Sequence, residues 1–470
     1  MMRNDFLVPP AALHSSITDE HRTLRYAAIS DYMEQLHIFF VQHQLNTSNC
    51  IALALQNNIP GVCLLLYLLQ QQQNFFILSN HTAAGKKLPP FCDIVLNVRD
   101  HKEVFFSPAD TICIENNPYY IAQEDLLPAT AQAIFSSSGT TGTPRYICFE
   151  QKTLLLNAAN IVARFQLTDK NKVLIPVPIS HMYGLGAGLL PALLAGADVC
   201  LAERGNVVNL LSQLNTFLPD TAFLTPAICK MLLVLNKDIS HRGRYVTAGE
   251  RISKETFNAF QARYGTLINL YGSTEMGVIG TTPVPEKGQF AVADIITPLP
   301  QVSIRFADIN TGEISVRHNA PFSGYIHITD DRMTAQPFTD SWFATRDMGS
   351  RKNEDGFMVA GRIDLCVNRN GFLIPLQEIE ALISENLGNT GKVIVVEGQE
   401  HADTPPLLAA FLEAAPGETL NTSGIRSACM RKMPAHLVPE VFTVLDTLPV
   451  LPNGKTDYTF LTKNFSALIK

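Results

Sequence analysis

The sequence has no two cysteines at the C-x-x-C spacing of zinc and redox sites. Cys50, Cys63, Cys92, Cys113, Cys148, Cys200, Cys229, Cys366 and Cys429 are scattered and odd in number, which points to a reduced, cytoplasmic protein and not to a disulfide framework. Nor is there a block of Lys and Arg long enough to face nucleic acid. With 36 basic against 43 acidic residues the net charge is −7, so any phosphate-binding role must be local. The opening "MMRNDFLVPPAALHSS" has an early acid and paired prolines where a signal peptide needs an apolar core, so export is not expected. The apolar run "YGLGAGLLPALLAGA", residues 183–197, falls short of the roughly 18 residues that begin to suggest a membrane span. It reads as a buried helix pair around Pro191. Internal repeats are absent, and "QQQQN" at 70–74 is too short to count as low complexity.

What is present is a large, ordinary globular composition: 470 residues, 46% hydrophobic and 17% charged, enough for an ample core and more than one domain. From about residue 130, short β-branched or apolar runs ("AQAIF", "KVLIPVP", "TAFLT", "RYVTAG", "TLINLY") alternate with longer helical patterns ("QKTLLLNAANIVARF", "VVNLLSQLNTFL"). That alternation predicts wound α/β sheets. After about 285, short strands take over ("VSIRFAD", "GEISVR", "GYIHI", "GFMVAG"), and the last hundred or so residues read as a small α+β unit. The expected architecture is a large N-terminal α/β domain, residues 1–363, with a β-rich subdomain, followed by a small α+β domain, residues 364–470.

Several of these strands run into polar or glycine-containing stretches: "SSSGTTG" after 135, "ISHMYG" after 178, "AGE" after 247 and "GSTE" after 271. Ligands of open α/β sheets sit outside the carboxyl ends of strands, so the pattern predicts one crevice where these loops converge. The stretch "FSSSGTTGTPR", residues 135–145, sets six hydroxyl side chains around two glycines. Gly139 and Gly142 let backbone N–H groups face an anion, Ser137, Ser138, Thr140 and Thr141 add donors, and Arg145 adds fixed positive charge. Polyphosphate is the natural guest; the other reading is an ordinary hydroxyl-rich surface loop. The G-x-x-x-x-G-K-[ST] pattern cannot be laid over it.

Other stretches separate the two readings. "FSSSGTTGTPR" resembles the phosphate loop of the adenylate-forming superfamily, which comprises acyl- and aryl-CoA synthetases, luciferases and the adenylation domains of peptide synthetases. "LYGSTEMG" (270–277), "WFATRDMG" (342–349), "GFMVAGRID" (356–364), "NGFLIPLQEIE" (370–380) and "LPNGKTD" (451–457) resemble further motifs of that family, in the same order. The resemblance is nearest to stand-alone acyl- or aryl-acid ligases. It implies a reaction of a carboxylate with ATP to an acyl-adenylate and pyrophosphate, then transfer of the acyl group to a thiol. On the matching positions it implies that Glu275 binds magnesium, that Thr274 joins the phosphate loop in holding ATP, and that Tyr271 and Gly272 with Ala248, Gly249 and Glu250 enclose the adenine. It further implies that Asp347 accepts hydrogen bonds from the ribose hydroxyls, that Arg362 contacts the ribose and phosphate region, and that Lys455 bridges the substrate carboxylate and the α-phosphate. His181, with Met182, Tyr183, Asn269 and Ser273, falls where family members line the acid pocket. Asp364 falls at the family's hinge, which implies a rotation of the C-terminal domain between half-reactions.

The chain departs from the family at three places. Pro-Lys-Gly at the end of the phosphate loop is Pro144-Arg145-Tyr146, the glycine before the ribose aspartate is Arg346, and the glycine spacing after 277 is eroded in "VIGTTPVPEKGQFAVAD". "PVPISHMYGLGAGLL" carries no acid to bind an α-ammonium, which favours an aryl or acyl acid. Since no carrier domain follows Lys470, the acceptor is expected in trans: coenzyme A, or the phosphopantetheine of a separate acyl carrier protein. The alternatives are an amino-acid-adenylating enzyme that loads a carrier in trans, a non-catalytic nucleotide-binding descendant, and an oxygenase of the luciferase type. Nothing in the sequence speaks to oligomeric state.

Overall fold

The computed structural model describes residues 9, 12–78, 88–99, 107–123, 126–137, 145–202, 207–240, 242–285, 291–309, 311–329, 332–369, 372–387, 390–401, 404–450 and 456–469. The chain forms two compact units, Met1–Ile304 with Val316–Phe343, and Arg305–Ser315 with Ala344–Lys470. Asp347, Arg362 and Asp364 all lie in the second.

The first unit is built on two large sheets. One has nine strands, in the spatial order Thr297–Pro298, Gly277–Thr281, Leu267–Ser273, Arg244–Thr247, Thr221–Leu224, Lys172–Ile175, Asp198–Leu201, Ser16–Thr18 and Thr23–Arg25. From Leu267–Ser273 to Ser16–Thr18 every pairing is parallel, so the carboxyl ends of these strands share one edge. Helices supply the crossovers, as parallel pairing requires. In Gln151–Phe165 the buried residues Leu154, Ala158, Ile161 and Phe165 recur at helical spacing on one face. The other sheet has eight strands, with Arg332–Pro337, Gly324–Thr329, Arg145–Glu150 and Gln132–Ser137 at one side, then Phe75–Leu78, Ile51–Ala54, Ile94–Val98 and Ile112–Asn116. The helix Ile59–Gln70 is buried at every residue but the last, which explains why its sequence, "IPGVCLLLYLLQ", is apolar all round. Its start is set by Pro60 and by Asn58, whose side chain accepts from the Gly61 N–H at 2.9 Å.

In the second unit, Gly391–Gly398, Leu407–Ala414 and Val441–Val444 form a three-stranded sheet. Its central strand, "LLAAFLEA", is apolar on both faces because both are covered. Leu408, Ala410 and Leu412 pack with Ile379, Ile383 and Cys429 from two helices, while Ala409 and Phe411 pack with Leu461 and Phe465. The strands and helices read from the sequence after residue 130 all form, and the fold class is the expected mixed α/β one.

One expectation changes. The apolar run around Pro191 is a single helical path, π-wound over Tyr183–Leu189 and α-wound over Leu190–Ala195. Proline has no N–H to give, and its ring crowds the carbonyl four residues back; the wider π turns accommodate both. The glycines of this segment serve packing. A Cβ on Gly184 would lie 2.2 Å from the Pro178 carbonyl oxygen, one on Gly186 would meet the Met182 sulfur at 2.6 Å, and one on Gly188 would touch Ile175 at 3.5 Å. Gly184→Ala should therefore force this helix off the Pro178 turn and lower the unfolding free energy by about 1–3 kcal/mol, the range for overpacking. Urea denaturation with an unchanged m-value would measure it, and an unaltered midpoint would show that the seat is not tight.

Candidate active site

Three of the four loops expected to converge leave the carboxyl edge of the nine-stranded sheet. Arg244–Thr247 lies directly beside Leu267–Ser273, with Thr247 opposite Asn269, so Ala248–Glu250 and the Tyr271–Glu275 segment emerge side by side. Ala248 is buried and Gly249 and Glu250 are exposed. Gly249 has φ +96°, and a Cβ there would meet nothing within 4 Å, so the backbone is open to a flat ligand on that side. Two strands further on, Lys172–Ile175 leads into the turn that carries His181.

That turn is held by a residue sequence reasoning missed. Asn57 accepts from the Ile179 N–H at 2.9 Å, and its amide nitrogen lies 3.0–3.1 Å from the carbonyls of Ile175, Val177 and Ala202. Nothing in "QNNIP" singles it out. Tyr183, expected in the acid pocket, directs its hydroxyl into the sheet, 2.9 Å from the Leu224 carbonyl and 2.7 Å from that of Val246. Burial pushes this hydroxyl well above its ordinary pKa, so it is a permanent donor that ties the His181 helix to the strand ends. His181 and Met182 are half-buried beside it.

The Glu275 turn is shaped by close backbone contacts. A Cβ on Gly272 would fall 2.3 Å from the Gly277 carbonyl oxygen, and Gly277, at φ +61°, leaves no room for one beside the Asn157 amide at 2.4–2.6 Å. Ser273 Oγ accepts from the Met276 N–H at 3.1 Å. Asn157, from the helix Gln151–Phe165, donates to the Met276 carbonyl at 3.0 Å and accepts from the Val278 N–H at 3.4 Å. Behind it His318 accepts from the Ala320 N–H through Nδ1 at 2.8 Å, so Nε2 carries the proton and faces the Val278 carbonyl at 3.2 Å. Burial lowers the pKa of His318 from 6.5 to about 4. Neither Asn157 nor His318 was legible as a support, since each lies far from the turn in sequence. The Asn269 N–H donates to Thr282 Oγ1 at 3.0 Å and its carbonyl accepts from the Thr282 N–H at 2.8 Å, while Thr274 is half-buried.

The fourth loop belongs to the other sheet. Gln132–Ser137 and Arg145–Glu150 are an antiparallel hairpin with Ser137 opposite Arg145, so the stretch resembling a phosphate loop joins two paired strands. Ser138, Gly139, Thr140, Thr141 and Gly142 lie outside the described residues, as does Lys455. On the flanks of Lys455, Val450 pairs with Thr456 and the Asp457 N–H donates to the Pro449 carbonyl at 2.9 Å. Asp457 then caps the following helix by accepting from the Phe460 N–H at 2.9 Å.

In the second unit, Asp347 and Arg362 face each other across the antiparallel pair Phe343–Arg351 and Phe357–Arg362. Arg362 lies 3.5 Å from Asp347 and 3.4 Å from Asp364, and donates to the Thr345 carbonyl at 3.2 Å. Arg346, where the family has glycine, has φ +62°. The site demands the left-handed region that glycine enters freely, at about 1–2 kcal/mol for another residue. Its N–H donates to Glu313 at 3.0 Å and its guanidinium pairs with Asp364, which offsets part of that cost.

A family model described as "AMP-binding enzyme" matches residues 93–334, half of the chain. The chain belongs to the AMP-binding enzyme family. Among its relatives is the indoleacetate–CoA ligase of Aromatoleum aromaticum, 28% identical over 70% of this chain and 66% of that enzyme, just under two thirds of its length. A dimodular nonribosomal peptide synthase of Bacillus subtilis is 24% identical over 69% of the chain and 14% of its own length. The ATP-bound crystal structure of MatB from Rhodopseudomonas palustris has the same fold, with a TM-score of 0.77 at 18% identity over 97% of both chains.

In this AMP-binding enzyme no cluster of three His, Cys, Asp or Glu residues that could hold a metal is found among the described residues. The half-buried Glu275 is instead a single carboxylate with one oxygen, Oε1, hydrogen-bonded to Tyr325. A lone carboxylate suits magnesium, which keeps its waters and takes substrate phosphates as ligands, better than calcium or zinc. Among the described residues no helix is long and apolar enough to cross a membrane.

The buried His318 makes stability depend on pH. The unfolded chain binds a proton there near pH 6.5, the folded chain only near pH 4. Stability from this group is therefore complete above about pH 6.5 and is lost as pH falls toward 4, on the order of 3 kcal/mol in all. Urea midpoints measured between pH 7 and pH 4 should fall more steeply for the native chain than for His318→Gln; equal slopes would show that His318 is not the group responsible.

Proposed function

We propose that this AMP-binding enzyme is an acid–thiol ligase that activates a carboxylic acid lacking an α-amino group. A carboxylate oxygen attacks the α-phosphorus of ATP, the bond between that phosphorus and the bridging β-phosphate oxygen breaks, and pyrophosphate leaves. The sulfur of coenzyme A, or of a carrier protein's phosphopantetheine, then attacks the acyl carbon and displaces AMP.

The observation that carries this reading is the shared carboxyl edge from which Ala248–Glu250 and Tyr271–Glu275 emerge beside each other. The open backbone at Gly249 and the ring of Tyr271 offer faces for adenine. Glu275 would hold magnesium, which when bound neutralises phosphate charge. The loop from Ser137 to Gly142, with Arg145 and Thr274, would hold the phosphates. Arginine at 145 presents a planar fork where the family has an ammonium, so it favours paired contacts to phosphate oxygens. Asp347 serves the ribose diol and Arg362, which it faces, the ribose and phosphate region. Lys455 bridges carboxylate and α-phosphate as charge develops, by positioned electrostatics.

His181, with Met182, Asn269 and Ser273, serves the acid. Residues 176–197 contain no Asp or Glu before Asp198, which supports an acid without an ammonium, in keeping with the name of the indoleacetate ligase. Similarity to a peptide synthase keeps an amino acid as the second reading. A swing of residues 364–470 about Asp364 would withdraw Lys455 between half-reactions.

ATP–pyrophosphate exchange should appear with one class from a panel of aryl, short, medium and long acyl, and amino acids in the presence of magnesium. Exchange with amino acids alone would select the second reading, and ATP binding without any exchange would indicate a non-catalytic descendant. Lys455→Ala should lower adenylate formation by about 10²–10³-fold, the range for one lost transition-state donor, and leave thioester formation from supplied acyl-adenylate largely intact. Loss of both half-reactions in a folded variant would remove Lys455 from this role.

A further inference from the structure

Glu275 lies at the end of a strand of the nine-stranded sheet, whereas the strand leaving the phosphate-loop stretch belongs to the eight-stranded sheet. The segment Phe322–Tyr325 touches both. The Phe322 N–H donates to the Glu275 carbonyl at 2.9 Å, and the Tyr325 hydroxyl donates to Glu275 Oε1 at 3.2 Å. One residue away, the Ser323 N–H donates to the Cys148 carbonyl at 2.7 Å and Ser323 Oγ lies 2.8 Å from Gln132 Oε1. Tyr325 itself pairs with Ile147 across the sheet, two residues from Arg145. Its ring is fixed against Phe322, with centroids 4.8 Å apart.

We propose that Tyr325 is a positioning residue that aims the Glu275 carboxylate and ties it to the strand that begins at Arg145. The hydroxyl holds Oε1, and no described residue bonds Oε2, which is left to face a cation. Because Tyr325 stands on the strand next to Arg145–Glu150, the carboxylate and the phosphate-binding hairpin are referred to one rigid pair of strands, although they come from different sheets. A hydrogen-bonded partner of a ligating carboxylate fixes its orientation and is typically worth 10–100-fold in metal affinity. This inference rests on the reading of Glu275 as the magnesium carboxylate.

Calorimetric titration of the full chain with α,β-methylene-ATP, once with magnesium chloride and once with EDTA, tests it without turnover. Tyr325→Phe keeps the ring and removes only the hydroxyl, so thermal melting should remain that of the native chain. The variant should lose about tenfold of the magnesium-dependent gain in nucleotide affinity, with binding in EDTA unchanged. Glu275→Gln, measured in parallel, should lose at least as much. A native magnesium gain in Tyr325→Phe beside a reduced one in Glu275→Gln overturns the role of Tyr325 and leaves Glu275 in place. An unchanged gain in both overturns the magnesium reading of Glu275 and this inference with it. Equal weakening with and without magnesium in Tyr325→Phe would mark a general structural role and also overturns it.

Discussion

In this chain the Glu275 carboxylate is held from outside its own strand, by the hydroxyl of Tyr325 on the eight-stranded sheet. The turn that bears Glu275 is folded so tightly that Gly272 approaches the Gly277 carbonyl where no side chain fits. Such a turn leaves backbone groups that its own sheet cannot satisfy, and buried polar groups without partners cost on the order of 1–3 kcal/mol each. Asn157 satisfies two of them, Phe322 a third, and His318 closes the layer behind. The neutrality of His318 follows from the same constraint. A charged imidazole in that position would be desolvated beside groups already committed to one another.

The nine-stranded sheet solves a related problem by topology. Parallel strands put all their carboxyl ends on one edge, so loops that are far apart in sequence emerge together without any of them having to reach. Asn57, through the Ile179 N–H and the carbonyls of Ile175, Val177 and Ala202, and Tyr183, through the carbonyls of Leu224 and Val246, then lock the His181 turn to that edge. The π-wound helix that follows is part of the same solution, since its glycines let it sit against the turn and the strand beneath.

Around Asp347 in the second unit, charged side chains meet one another. Arg362 is shared between Asp347 and Asp364, and Arg346 reaches Asp364 from the other side. Exposed pairs of this kind add little stability one by one. Their effect is to hold the carboxylates of Asp347 and Asp364 in defined directions around Arg362, and Arg346 enters the left-handed region although it is not glycine.

The elements and the chemistry-bearing loops were legible because they depend on local pattern. Period-2 and period-3.6 spacing marked the strands and helices after residue 130, and the motif order around Glu275, Asp347, Arg362 and Lys455 marked the candidate site. The supports were not legible. Asn57, Asn157, His318 and Tyr325 each act on a turn 40 to 122 residues away, and an isolated polar residue in a helix or strand carries no sign of the backbone group it will meet. The glycines of residues 184–188 illustrate the same limit, since space for a substrate and close approach of a backbone demand the same residue. By itself the sequence determined the α/β class, the strand ends that hold the candidate residues and the net chemistry they offer. Only the tertiary structure decided which sheet each loop leaves and which distant side chains aim it, because hydrogen bonds between elements depend on where the chain packs and not on its local order.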